Sequence, residues 1–227
     1  FWLKDLFSPL HPFIMVLLAC VGIAAFAAQL FGEKLCPGAA LKPGLCRHFG
    51  SLVFLTTQTN VLCLCYFTAT VCSELAGMLK VQEQLLRLFP LVFATGFFIS
   101  FCYYALVHFD PAQAAIREKT KEKYPHVNLA SHLSHCFSLP FVVLWARHQP
   151  GLEVTVADRF GAVCGYVLFY LCFMHFNHWM TGEWPYPFII DAEAKGGALG
   201  RTAVEVALAG LLVAMSFGGD LLLPPAA

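Results

Sequence analysis

Residues 12–31 read PFIMVLLACVGIAAFAAQLF. These are about twenty positions without a charge, enough to cross a hydrocarbon core of roughly 30 Å as a helix. Comparable apolar stretches recur near 51–79, 85–109, 129–145, 159–180 and 202–223, separated by segments punctuated with Pro, Gly and charge. Composition agrees: hydrophobic residues make up 59% of the chain and charged residues 12%, and mean hydropathy is +0.68, outside the range of soluble domains. The expected fold is all-α, an integral membrane bundle of six transmembrane helices forming one domain over residues 1–227. Fourteen basic residues balance fourteen acidic ones, so no basic footprint for nucleic acid is present.

The segments between the spans carry further expectations. The chain opens on Phe1, which reads as a processed start or a fragment. Eight of the ten cysteines lie in apolar runs as small hydrophobes, whereas Cys36 and Cys46 share the first loop and can bridge if it faces an oxidising compartment. Lys and Arg favour the first, third and fifth loops, which places those loops inside and the termini outside. The two inferences about loop one exclude each other. Charges alternate through 110–128, the pattern of a solvated face with no chemistry of its own. Tyr104, His108, His175, His178, Trp184 and Tyr186 sit near helix ends and read as interfacial anchors, while Tyr166, Tyr170 and Asn177 share an inward face. Two small-residue stripes, Ala24, Ala27, Ala28 and Ala203, Ala207, Gly210, Ala214, read as close-packing seams.

Inside the second span, residues 54–60 read FLTTQTN, five consecutive polar side chains where lipid tolerates few. At about 100° per residue, Thr56, Thr59, Asn60, Cys63, Thr70 and Glu74 gather on one stripe, and Thr57 falls about 100° away. The fourth span has a stripe too, with Asn128, Ser131, His132, His135 and Ser138, and Pro140 predicts a kink just beyond His135. Such stripes serve interhelical hydrogen bonding as readily as a ligand. The chemical reading pairs the Thr56 hydroxyl as nucleophile with His135 as general base. Asn60, Thr59, His132 and Ser138 are then candidates for contacting substrate or a developing oxyanion. An alternative brings His132, His135, His175 and His178 together around a metal or haem, although no inward carboxylate accompanies them.

The FLT of the second span, the SHxSHxxxLPF of residues 131–141 and the TGEWPYPF of residues 181–188 together resemble the androgen-induced, FAR-17a-like family of six-span membrane proteins. The resemblance covers the chain from Ser51 to the end of the sixth span. It implies a threonine hydrolase acting on fatty acid esters of hydroxy fatty acids, with a membrane lipid or fatty acyl ester as substrate and no cofactor. Its threonine and histidine fall on Thr56 and His135. Asn60 stands four residues after Thr56 and three after Thr57, so the family threonine lies at one of these two, and the stripe favours Thr56. Ser134 and Cys136 flank the histidine where animal members carry Met and Thr, so the pocket lining differs. The competing expectation is a non-catalytic accessory subunit among neighbouring membrane proteins. Either protein resides in an endomembrane or the plasma membrane, with an organellar inner membrane as the alternative.

Overall fold

The computed structural model describes residues 11–148 and 154–219, and these are helical with no strand. The long helices are α1 (His11–Leu35), α3 (Leu55–Leu75), α4 (Leu79–Cys102), α8 (Val156–Thr181) and α9 (Pro187–Gly218). Shorter ones are α2 (Gly38–Leu41), α5 (Pro111–Thr120), α6 (Val127–His135) and α7 (Ser138–His148). A 3-10 turn at Gly50–Val53 leads into α3, and α4 runs on through a π-helical segment at Tyr103–His108.

Five segments among the described residues are long and apolar enough to cross a membrane: Phe13–Leu41, Leu79–His108, Val127–Arg147, Val156–Thr181 and Pro187–Gly218. The expected span at 51–79 forms α3 but is not among them, because Thr56, Thr57, Gln58, Thr59 and Asn60 dilute its apolar character. It packs along both α1 and α4. Residues 220–223 of the expected last span lie outside the described residues. That span begins well before the expected Thr202, at Pro187, with a kink where Gly197 takes φ 59°.

Local chemistry sets the ends. Asp110 caps α5 through the Gln113 amide at 2.8 Å with Pro111 following, and Thr155 caps α8 through the Asp158 amide at 3.1 Å. Gly182, at φ 73°, ends α8 in the left-handed conformation that glycine adopts without strain. The fourth span breaks at Cys136 and Phe137 into α6 and α7. Pro140 is the cause, since it has no N–H for the Cys136 carbonyl.

Two of the apolar cores join the long helices. Phe26, Phe67, Phe141 and Trp145 lock α1, α3 and α7, with Phe67 at 4.8 Å from Phe141 and 4.9 Å from Trp145, both edge-on. Leu91, Ala94, Phe98, Val163 and Leu212 join α4, α8 and α9. Several expectations are corrected here. Ala24, Ala27, Ala203, Ala207, Gly210 and Ala214 are exposed, and α1 turns Ala19, Phe26 and Gln29 inward instead. Cys36 and Cys46 are free thiols. The 110–128 segment is not merely a solvated face: Arg117 reaches back to the Val107 and His108 carbonyls at 3.1 and 2.5 Å, which the π-helical segment leaves free.

Candidate functional site

A cavity of about 610 Å³ is walled by α1, α2, the start of α3, α4 with its π-helical extension, α5, α6, α8 and α9. Its lining is mostly apolar, with Phe98, Ile99, Leu106, Val167 and Leu208 among its members. Thr56 and His135 both line it. The Thr56 Oγ1 is 3.2 Å from His135 Nε2. On the far side of the ring, His135 Nδ1 is 2.7 Å from the Ser131 carbonyl. A carbonyl only accepts, so Nδ1 carries the hydrogen and Nε2 is left to accept from the threonine.

The histidine is held on several sides. The Tyr103 ring stacks on it at 4.1 Å and 10°. Ser100 donates to the His135 carbonyl at 2.5 Å and accepts the Leu139 amide at 3.1 Å, bridging the break between α6 and α7. Asn60 Nδ2 donates to the Ser134 carbonyl at 3.2 Å. The helix break thus exposes backbone groups that neighbouring side chains occupy, and that fixes where His135 points.

The other candidates lie off the cavity wall. Asn60 and Thr59 are fully buried within the bundle. Ser138, also fully buried, donates to Gln29 Oε1 at 2.8 Å. His132 Nδ1 meets the Tyr104 hydroxyl at 3.1 Å, and its ring lies 4.9 Å from that of His108. Tyr104 and His108 therefore pack on α6 rather than standing apart as anchors. Thr57, outside the expected stripe, is buried nonetheless and donates to Glu33 Oε1 at 2.7 Å, because α3 has neighbours on two sides.

The four histidines do not meet as a metal or haem site would require. His175 Nε2 lies 3.0 Å from Glu205 Oε1, and His178 stacks on Trp184 at 3.7 Å. Among the described residues no three His, Cys, Asp or Glu side chains converge as metal ligands. Trp184 is buried and donates to Glu193 Oε2 at 2.6 Å, so it is an interior residue rather than part of an aromatic belt.

Three contributors, Tyr103, Ser100 and Tyr186, had little sequence signal, whereas Tyr170 lies on the face expected to point inward. Tyr103 was masked by its neighbour Tyr104, which the four-residue spacing from Ser100 singles out. Ser100 shares that face, but its partners lie on α6 and α7. Tyr186 and Tyr170 join the cavity wall beside the α3 N-terminus. Burial pushes the Tyr186 phenol above its ordinary pKa, so it stays protonated across the neutral range.

A family model for FAR-17a/AIG1-like proteins matches residues 13–217. No curated protein and no solved structure matches the chain. The family match runs from the first described helix to the last and takes in both Thr56 and His135, so the chain belongs to the FAR-17a/AIG1-like family.

Proposed function

We propose that this protein is an integral-membrane lipid ester hydrolase, with Thr56 as nucleophile and His135 as general base. The observation that carries the reading is the 3.2 Å contact between Thr56 Oγ1 and His135 Nε2, with Nδ1 anchored on a backbone carbonyl. Anchoring sets the tautomer that a base needs, and the apolar cavity beside the pair suits acyl chains. In this reading α3 is a sixth crossing, shielded from lipid by its neighbours.

The steps follow from the geometry. Thr56 Oγ1 attacks the ester carbonyl while His135 Nε2 takes the hydroxyl proton. The tetrahedral oxyanion collapses, the C–O bond to the alcohol breaks, and His135 returns the proton to the departing oxygen. Water then attacks the acyl-threonine, His135 takes its proton and passes it to Thr56 Oγ1, and the fatty acid leaves. Asn60, whose amide nitrogen is committed to Ser134, positions α6 instead of holding the oxyanion. The Thr56 and Thr57 backbone N–H groups, at the positive end of α3, are the donors suited to it.

A serine/threonine-directed fluorophosphonate probe tests the proposal on the purified chain. Labelling of the wild type is expected to vanish in Thr56→Ala and to slow by roughly 10²- to 10⁴-fold in His135→Ala, the usual contribution of a general base. Thr57→Ala is expected to keep labelling. A wild type that takes no label, or a label independent of Thr56, overturns the hydrolase reading.

A further inference from the structure

Phe54 occupies the N-cap of α3 at φ −91°, ψ 133°, the extended geometry at which Ser, Thr, Asp or Asn would close the first turn, yet it offers no side-chain acceptor. The acceptor comes from 131 positions further along: the Leu55 N–H donates to the Tyr186 hydroxyl at 2.8 Å. Tyr186 lies 2.9 Å from the Tyr170 hydroxyl, and Tyr170 donates to the Val53 carbonyl at 3.1 Å. That carbonyl only accepts, so the single Tyr170 hydrogen is committed to it and the hydrogen between the phenols belongs to Tyr186. The relay therefore leaves one side of Phe54 at the Leu55 amide, next to Thr56, and returns on the other at Val53.

The segment bearing Tyr186 is stiff. Pro185 and Pro187 fix the backbone on either side, and Tyr186 itself is extended at φ −121°, ψ 134° as a residue before proline must be. Lys42 Nζ holds the Pro185 carbonyl at 2.9 Å, and Trp184 is buried against His178. A side-chain cap at position 54 would accept from the second or third amide of the helix, which here means Thr56 or Thr57. Tyr186 takes the first amide and leaves those two, which have no acceptor among the described residues.

We infer that Tyr186, backed by Tyr170, is the remote cap of α3, a positioning pair that holds the turn bearing Thr56 without using the amides an oxyanion would need. Tyr186 has no hydrogen left for a substrate, so it acts through that turn. The consequence for turnover rests on the hydrolase reading; the cap itself does not.

The test uses the full chain in detergent, as wild type, Tyr186→Phe, Tyr170→Phe and the double variant. Hydrogen exchange over residues 52–59 reads the cap, and kcat and KM on an uncharged p-nitrophenyl fatty acyl ester read its effect. Tyr186→Phe is expected to speed exchange in that segment and to lower kcat about tenfold at unchanged KM, the rate equivalent of one lost hydrogen bond. Because Tyr170 keeps its own bond to the Val53 carbonyl when only Tyr186 is altered, the double variant is expected to speed exchange beyond Tyr186→Phe, though by less than the sum of the two single effects, since the phenols share a hydrogen bond. Unchanged exchange, or a loss confined to KM, overturns the inference. Should Tyr186→Phe not fold, Tyr170→Phe decides by the same readings with a smaller change expected. If the wild type neither turns over ester nor takes label at Thr56, the hydrolase reading fails, and exchange alone decides the cap.

Discussion

Ser100 shows how much of the site depends on a side chain that never touches the cavity's contents. Its hydroxyl donates to the His135 carbonyl and accepts the Leu139 amide, so one oxygen satisfies two backbone groups that the helix break sets free. Ser100→Ala is expected to cost about 1–3 kcal/mol, the range for leaving a buried polar group unpaired, and to slow probe labelling by letting His135 drift. A detergent-phase thermal melt and the labelling rate check both. Thr56 and His135 were legible in the sequence because each sits in a polar stripe within an apolar segment. The burial of Thr57 was not legible: one stripe describes a helix with one polar neighbour, whereas α3 meets Glu33 of α1 on one side and α6 on another. Ser100 and Tyr186 were not legible as supports, since each serves a backbone group 35 and 131 positions away and no periodicity reports such distances.

The approach of α1 to α6 decides whether His135 can reach Thr56 at all. Gly32 is the point of contact: a Cβ there would meet the Ala130 carbonyl oxygen at 2.9 Å and Leu133 Cβ at 2.9 Å. A backbone oxygen cannot rotate away, so Gly32→Ala is expected to push α6 outward, destabilise by about 1–3 kcal/mol and depress labelling. Gly165→Ala, where nothing lies within 4 Å, is the matched control and is expected to be neutral or to stabilise the helix by up to about 1 kcal/mol. The break between α6 and α7 was legible from Pro140, a residue whose missing donor has only one effect inside a helix. The π-helical turn at Tyr103–His108 was not, because Arg117 of α5 and His132 of α6 stabilise it from other elements.

Loops far apart in sequence are joined near the site. Lys42 donates to the Pro185 carbonyl at 2.9 Å and lies 5.8 Å over the Phe54 ring, tying the first loop to the segment that carries Tyr186. Burial lowers the Lys42 pKa, with Cys46 and Glu183 opposing that shift. Between the lowered value and the ordinary lysine value, the unfolded chain holds a proton that the folded chain has lost, so stability rises with pH across that window. Below it the cost of burying the charge is constant. The melting difference between wild type and Lys42→Met, taken from neutral pH upward, is expected to shift in favour of the wild type as pH climbs. A flat difference would remove Lys42 from the account. Cys46, whose thiol interacts electrostatically with Lys42, is replaced by Ser in both chains, and the other thiols and the phenols that titrate there are common to both and drop out.

The helix that bears Thr56 is the one long helix described that falls short of the apolarity a membrane crossing asks for. A translocating segment is judged as it emerges, and one carrying FLTTQTN partitions poorly by itself. If α3 is the sixth crossing of the proposed reading, its passage into lipid depends on a companion. In an insertion reporter, residues 55–75 alone are expected to stay out of the bilayer, and the same segment followed by 79–108 is expected to enter. Under the proposed hydrolase reading biogenesis then acts as a safeguard: the Thr56 hydroxyl meets His135 only in a chain whose later helices have already been delivered, so a truncated or stalled product carries the threonine without its base.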